Sequence, residues 1–512
     1  MQAANKVALN TSILYLRMFI TVTFTLLSTR YVLNALGAVD YGIFNLISGV
    51  IAFLSFLNAA MSISTQRYFS FHQGKGDFEM QENVFKNSLL LHFFLGFLIV
   101  GLLELAGLFL LNGFLNIPSE RIEATKLIYH LMSGTVFFTV ISVPFTGLLN
   151  AHENMLWVAA VTIVETFLKF GLALFLFSVV GDKLVFYSIF MSVIAVLSFL
   201  LYAAFCFKKY KECTLRNIQK YDPALIKELS SFAGWNLFGI VSWLGRTQGL
   251  AILLNLFLGT VVNAAYGISN QVSAQLNFFS ATLLKALNPQ IMKSEGAQDR
   301  ARMLKLAMIA SKFCFFLLAF IAIPCIFEMP TILKFWLKEV PEHTVIFCKL
   351  MLVGTLINQL TIGLQSAIQA IGKVKMYQII VGSTLILNLP IAYFLLKMEY
   401  SLYSIIISYI CIEFIACTLR LFLLIKTGGL SFGEYWNRVL QKEIIPVVAS
   451  VACCFWITHS FESEFRVFAT GIVSVVVFGI SIYFTGLCTD EKKTIFEMID
   501  KMLLKLLKKK RI

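Results

Sequence analysis

Charge is what this sequence has least of. Of its 512 residues only 14% are Asp, Glu, Lys or Arg, while 58% are hydrophobic. A soluble domain of that length needs far more charge to cover its surface. The mean hydropathy of +0.81 therefore assigns the chain to the integral membrane proteins. A cleavable signal is also missing: the first apolar segment starts about six residues in, is too long for a signal core and lacks a small-residue cleavage site. The ten cysteines are scattered through apolar segments, with no CxxC and no histidine at ligand spacing, which excludes a metal or disulfide framework and reads them as small core residues. No GK[ST] loop, no HExxH and no Ser/His/Asp arrangement is present. The longest candidate outer loops, around 113–122 and 328–342, are short and hold no catalytic set. Those features count against an enzyme.

What is present is a series of apolar runs. A span needs about 20 mostly apolar residues. Fourteen such stretches can be drawn, centred near residues 18, 50, 98, 137, 166, 195, 246, 272, 315, 356, 386, 413, 451 and 477; a count of 12 or 13 is the alternative, because segments 1 and 13 are weakened by polar residues. The expected fold is an all-α polytopic membrane protein. The net charge of +14 would suggest nucleic acid in a soluble protein, but its distribution does not. Lys208, Lys209, Lys211, Arg216, Lys220 and Lys227 fall in loop 6, and Lys293, Arg300 and Arg302 in loop 8, while odd-numbered loops carry two or fewer each. That asymmetry is the positive-inside rule and places both termini in the cytoplasm. In the tail Lys492–Ile512, Ile495, Ile499, Met502, Leu503, Leu506 and Leu507 recur at helical spacing opposite lysines. Such a helix suits anionic inner-leaflet lipids; a solvated charged tail is the alternative.

An internal repeat organises the chain. YGIFNLIS from Tyr41 matches YGISNQVS from Tyr266 at an offset of 225, with Asn45, Ser48 and Ser55 falling on Asn270, Ser273 and Ser280. YSIFMS from Tyr187 echoes YSIIIS from Tyr403 at an offset of 216. Segments 1–6 thus correspond to segments 7–12 as parallel repeats, with segments 13 and 14 outside. The division expected is a first lobe over 1–210, a cytoplasmic linker over 211–230, a second lobe over 231–427, segments 13–14 over 428–488 and the tail over 489–512.

Polar residues recur every three or four positions on segment 8 (Asn263, Tyr266, Asn270, Ser273, Asn277, Ser280), on segment 2 (Tyr41, Asn45, Ser48), on segment 10 (Asn358, Thr361, Gln365, Gln369) and on segment 4 (Thr135, Thr139, Ser142, Thr146). They either bond helix to helix or line a water-filled cavity. Continuous Asn and Gln stripes on repeat-related helices favour the cavity.

Buried charge sharpens the question. In SWLGRTQGLAILLNLFLG (242–259), Arg246 lies mid-span; at the 225 offset Thr21 falls on Arg246 and Arg17 on Ser242, so each lobe offers one arginine from its first helix, one turn apart. A central arginine costs about 2.5–3.5 kcal/mol on insertion scales. It can snorkel, take a fixed acidic partner, or line the cavity and meet an anion whose phosphate oxygens match its fork. The third is preferred, because both lobes supply one and neither has an acid four residues away. Gly245 and Gly249 around Arg246 permit close packing or bending, and the sequence does not choose. Glu165 and Lys169 are four apart and can neutralise each other. Glu413 and Arg420 share a face of segment 12, with Arg420 near enough to an end to snorkel. Glu104 and His92 in segment 3 are candidate proton-sensing groups, Arg30 and Asp40 read as interfacial, and Lys285 is placed to meet an anionic head group arriving from the cytoplasm.

The run LSTRYVLNALGAVDYGIFNLISGV (27–50), with Leu36, Gly37, Tyr41, Gly42 and Ile43 as its motif, the fourteen spans and the six-plus-six repeat resemble the polysaccharide transporters of the multidrug/oligosaccharidyl-lipid/polysaccharide exporter superfamily. More narrowly the chain is similar to the O-antigen and exopolysaccharide flippases. The resemblance implies a bacterial inner-membrane protein without cofactors that moves an undecaprenyl-pyrophosphate-linked oligosaccharide to the outer leaflet by alternating access. It implies cavity cations for the pyrophosphate or acidic sugars, for which Arg17, Arg246, Lys169 and Lys285 fit. It also implies coupling to H+ or Na+, with Glu165, Glu413 and Glu104 as candidates, and other polysaccharide-assembly proteins as partners. Three rivals stand beside it. A cation-coupled multidrug exporter has twelve spans and acidic key charges; a lipid II flippase shares the spans and arginines; a polysaccharide polymerase or ligase carries a large outer loop.

Overall fold

The computed structural model describes residues 3–53, 55–111, 117–215, 222–337, 339–461 and 465–497. Arg216, Lys220 and the tail beyond 497 lie outside the described residues, as does the side chain of Ser55. Among the described residues the chain is helical throughout and contains no strand. The helices are α1 (Ala3–Phe53), α2 (Ser55–Lys75), α3 (Phe78–Phe109), α4 (Ile122–Ile141), α5 (Val143–Ala151), α6 (Met155–Phe175), α7 (Lys183–Lys209), α8 (Pro223–Leu258), α9 (Thr260–Gly296) and α10 (Arg300–Leu337). They continue as α11 (Thr344–Gln359), α12 (Ile362–Ile371), α13 (Val374–Tyr377), α14 (Ser383–Ile386), α15 (Asn388–Lys397), α16 (Leu402–Gly428), α17 (Phe432–Tyr435), α18 (Gln441–Ser460) and α19 (Arg466–Ser481).

Among the described residues, eleven helical stretches are long and apolar enough to cross a membrane, or twelve when α11 and α12, bent by 40°, count as one broken span. The expected fourteen would require segments 2 and 8 as well. Both are helical where described, segment 2 in the end of α1 and in α2 and segment 8 in α9, but their polar stripes keep them below the apolarity of the rest. Large apolar side chains point outward all along the spans, Phe335 at 92% exposure and Leu256 at 72%, as lipid-facing surfaces require. This is a multi-pass membrane protein.

Local chemistry sets the helix ends. Asp77, Asp182 and Asp222 accept from free N–H groups at the starts of α3, α7 and α8, and Pro223 opens α8 where no backbone donor is needed. Inside α1, Gly37 adopts φ 79° and ψ 170°, a conformation essentially closed to residues with a Cβ, and the helix kinks there. Gly259, at φ 83°, makes a similar break between α8 and α9, three residues before the position that matches Gly37 at the offset of 225. Both follow a leucine and precede a Tyr-Gly pair, so the Leu-Gly element of the sequence motif is a helix hinge used twice.

The described chain forms two compact units: Leu9–Leu237 with Gly296–Gln298, and Met1–Ala8 with Phe238–Glu295 and Asp299–Ile512. In the first, Phe24 packs edge-on against Phe167 and Phe170, and Ile43, Ile47, Ile128, Tyr129 and Leu184 form a core. In the second, α10 is central. Gly363 of α12 approaches the Ala307 carbonyl so closely that a Cβ would sit 2.1 Å from it. The α18–α19 pair belongs to this unit and is fastened to α10 twice. Arg466 bonds Glu328 through Nε and Nη2 at 3.0 and 3.2 Å, with Thr470 adding 2.8 Å. Near the other end of α10, Lys312 lies 2.6 Å from Glu491.

Candidate functional site

In the second unit the polar centre is built on α16. Tyr409, Glu413 and Arg420 stand at spacings of four and seven, on one face. Arg246 of α8 donates from Nη1 to Glu413 at 2.9 Å and from Nη2 to the Tyr409 hydroxyl at 3.3 Å, and its guanidinium lies 4.3 Å from the Tyr409 ring centre. Asn358 of α11 donates to the other Glu413 oxygen, and Arg420 approaches that oxygen at 3.6 Å. Arg420 also bonds Tyr377 at 3.2 Å and Thr361 at 3.4 Å. Arg246, Glu413 and Arg420 are all fully buried.

Two expectations change here. Arg246 has a fixed acidic partner, supplied by a helix 167 residues away rather than from its own helix. Arg420 does not snorkel, because Glu413, Tyr377 and Thr361 hold it inside. The cluster holds two guanidinium groups against one carboxylate, and Nε of Arg246 keeps a buried N–H with no acceptor. Of the flanking glycines, Gly249 is a packing glycine, since a Cβ there would meet Leu389 at 2.6 Å, while Gly245 faces open space.

The first unit has its own cluster. Lys169 and Glu165 of α6 pair at 2.6 Å, and Ser198 of α7 donates to the second Glu165 oxygen at 3.3 Å. Arg17 of α1 lies within electrostatic reach of Tyr202 of α7, which bonds Thr162. Arg17 is half-buried with its Nε unpartnered, and no carboxylate lies within ion-pair distance of it among the described residues. Lys169 and Glu165 balance each other, and Arg17 is a further cation of the same unit.

The other expected residues separate into two groups. Asn277 accepts from Gln359 at 2.8 Å, Asn358 is committed to Glu413, and Ser280 donates to the Cys314 carbonyl at 2.8 Å. These three bond helix to helix, so the α9 stripe is not one continuous lining. Ser273 is buried without a partner for its hydroxyl, Asn270 bonds the Tyr266 carbonyl in its own helix, Ser48 and Gln365 are half-buried, and Asn45 and Lys285 are exposed. Glu104 is bonded to His130 of α4 at 2.6 Å and to Ser133, partners the sequence did not suggest. His92 is buried on another part of α3, donating to the Ser88 carbonyl at 2.6 Å. Asp40 is clamped by Arg121, which also holds Asp182 at 2.6 Å and keeps that carboxyl below its usual range. The shared face of Glu413 and Arg420 was visible in the sequence, while Tyr409 was missed although it stands one turn before Glu413. The arrival of Arg246 and Asn358 beside them was not visible, because no local rule pairs helices so far apart in the chain.

A model of the polysaccharide biosynthesis protein family matches residues 7–295, more than half of the chain and all of the first unit's helices. The chain belongs to that family. No curated protein matches it. Among solved structures, a MATE in the straight conformation superposes with a TM-score of 0.72 at 14% identity, over 84% of this chain and 97% of that one. An outward-facing multidrug resistance MATE transporter of the MOP superfamily gives 0.72 at 14%, over 84% and 98%. A MOP superfamily transporter from Pyrococcus furiosus, described as having a binding pocket of reverse polarity, gives 0.68 at 15%, over 84% and 98%. This polysaccharide biosynthesis family member therefore has the fold of membrane transporters.

Proposed function

We propose that the protein is an alternating-access flippase that moves an undecaprenyl-pyrophosphate-linked oligosaccharide from the inner to the outer leaflet of a bacterial cell membrane, with both termini cytoplasmic. Family membership supports the substrate class and the fold supports transport. The observation that carries the reading is Arg17, a cation in an apolar helix whose Nε is buried without a partner. Such a charge costs about 2.5–3.5 kcal/mol in a span, and an anionic head group offsets that cost where a drug cation would add to it. Lys169 and Lys285 are the further cations assigned to the anion. Arg246 takes a narrower role than a free anion ligand: it holds the Glu413 cluster, whose excess positive charge draws the pyrophosphate. Asn45, Ser48, Asn270, Ser273 and Gln365 replace water around the sugars, and Glu165, Glu413 or Glu104 binds the coupling H+ or Na+. The basic tail rests on anionic lipids, and other polysaccharide-assembly proteins hand on the product.

A cation-coupled multidrug exporter is the second reading, favoured by the likeness to multidrug resistance transporters. The two-to-one cationic cluster on Glu413 and the unpaired Arg17 oppose it, and the relative with a pocket of reverse polarity was itself taken to suggest a different function. A lipid II flippase differs only in the sugar. The deciding experiment is thermal stabilisation of the purified protein by a polyprenyl-pyrophosphate oligosaccharide, by lipid II and by a cationic dye, for wild type and Arg17→Ala. Stabilisation by the oligosaccharide lipid that Arg17→Ala weakens is the expected result. Stabilisation by the dye alone, indifferent to Arg17, overturns it.

A further inference from the structure

Glu443 opens α18 and is 3% exposed, and neither oxygen of its carboxyl group has a hydrogen-bond partner. The other buried acids of the same unit are answered: Glu413 by Arg246, Glu328 by Arg466 and Glu491 by Lys312. An ionised carboxylate in that position is costly. Even a neutral one leaves a donor and an acceptor unused, which in a folded protein asks for an explanation.

The elements around Glu443 supply one. The charged group that acts on it is Lys312 of α10. From α17, Tyr435 is coupled to it, but that hydroxyl donates to the Leu360 carbonyl. Two turns further along α18, Ser450 bonds Ser474 of α19 at 2.8 Å. Lys312 is 1% exposed at its side chain and spends its charge on Glu491 at 2.6 Å. Glu491 also accepts from the Cys488 N–H at 2.8 Å, and beside it Asp490 is held by Lys305 at 2.5 Å and Arg438 at 3.3 Å. One buried lysine thus acts on two buried acids and is bonded to only one of them.

We propose that Glu443 is a proton-binding site whose occupancy decides which acid Lys312 serves. With the proton on Glu443, Lys312 stays on Glu491 and holds the segment 488–492 against α10. When the proton leaves to solvent, the Glu443 carboxylate takes Lys312, Glu491 loses its cation, and the segment that continues into the basic tail loosens. Both acids of this latch lie beyond the internal repeat, while Lys312 belongs to it, and its test does not depend on which substrate is carried.

The first readout is the infrared difference between wild type and Glu443→Gln, the isostere of the protonated acid, in membranes at about pH 7. A carbonyl stretch of a protonated carboxylic acid in an apolar site is expected, and its absence overturns the proposal. The second uses Ile495→Cys, half-buried in the segment that follows, in a chain whose ten native cysteines are replaced. Between about pH 6 and about pH 9 the rate of labelling by a hydrophilic maleimide, taken as the ratio to the same variant carrying Glu443→Gln, rises about tenfold. A ratio that stays flat overturns it. Should Glu443→Gln not fold, wild type alone decides: its protonated-acid band must fade over the pH range in which labelling of Ile495→Cys increases, and changes at separate pH values exclude the link.

Discussion

Glu413 lies between two arginines, 2.9 Å from Nη1 of Arg246 and 3.6 Å from Nη2 of Arg420. Removing the middle charge leaves two buried guanidinium groups facing each other. Removing Arg246 leaves a balanced Glu413–Arg420 pair. Glu413→Leu is therefore expected to cost about 3–5 kcal/mol and Arg246→Met clearly less. Chemical unfolding in detergent measures both, and a larger loss for Arg246→Met contradicts the arrangement.

The two glycines of the Leu-Gly…Tyr-Gly motif are not equivalent. Gly37 has φ 79°, and a Cβ there would meet nothing within 4 Å, so Gly37→Ala is penalised by backbone strain alone, about 1–3 kcal/mol. Gly42 has open space and no such φ, so Gly42→Ala is expected to be neutral. Gly249→Ala should fail for the opposite reason, by collision with Leu389. Thermal unfolding of the three variants separates strain from crowding.

Arg17→Met removes a half-buried charge that has no ion-pair partner, so the ligand-free protein should be as stable as wild type or more so. Affinity for the polyprenyl-pyrophosphate oligosaccharide should fall by about tenfold or more, the loss of one charge-assisted contact of at least about 1.5 kcal/mol. A variant that loses stability without ligand and keeps its affinity would return Arg17 to a packing role.

The fastening of α19 to α10 can be taken apart in a double-mutant cycle. Arg466→Met alone strands the buried Glu328 carboxylate and is expected to cost about 3–5 kcal/mol, whereas Arg466→Met with Glu328→Met recovers most of that loss. Additive losses in thermal or chemical unfolding would mean that the two residues do not form a pair.

Burial alone would raise Asp490, but its bonds to Lys305 and Arg438 outweigh that and hold the carboxyl at about 2. A depressed value means that the group stabilises the fold above its unfolded value of roughly 3.9 and that this contribution fades as pH falls toward about 2. Asp490→Asn should therefore weaken docking of the 488–492 segment at neutral pH and remove its sensitivity to acid below about pH 4. Accessibility of Ile495→Cys to a small neutral thiol reagent reports both. Asp490 does not titrate near neutrality and so does not contribute to any loosening between about pH 6 and about pH 9.

The sequence by itself determined the class of fold and most of its elements. Scarce charge and long apolar runs leave a chain no alternative to membrane helices, because lipid offers backbone groups no partner. The i, i+4 pairing of Glu165 with Lys169 and the shared face of Glu413 and Arg420 were legible for the same reason: helical periodicity is a local property. The hinge at Gly37 sat inside a visible motif, and its positive φ gives that motif its cause. Only the tertiary structure decided where the charges went. Arg246 found Glu413 across 167 residues, Glu104 found His130 across 26, and Lys312 found Glu491 across 179. It also decided that Asn277, Ser280 and Asn358 bond neighbouring helices while Arg17 and Glu443 keep unpartnered polar atoms. A polar stripe shows that one face of a helix needs partners. Whether they are water, a substrate or another helix depends on which helix packs there, and local periodicity does not carry that information.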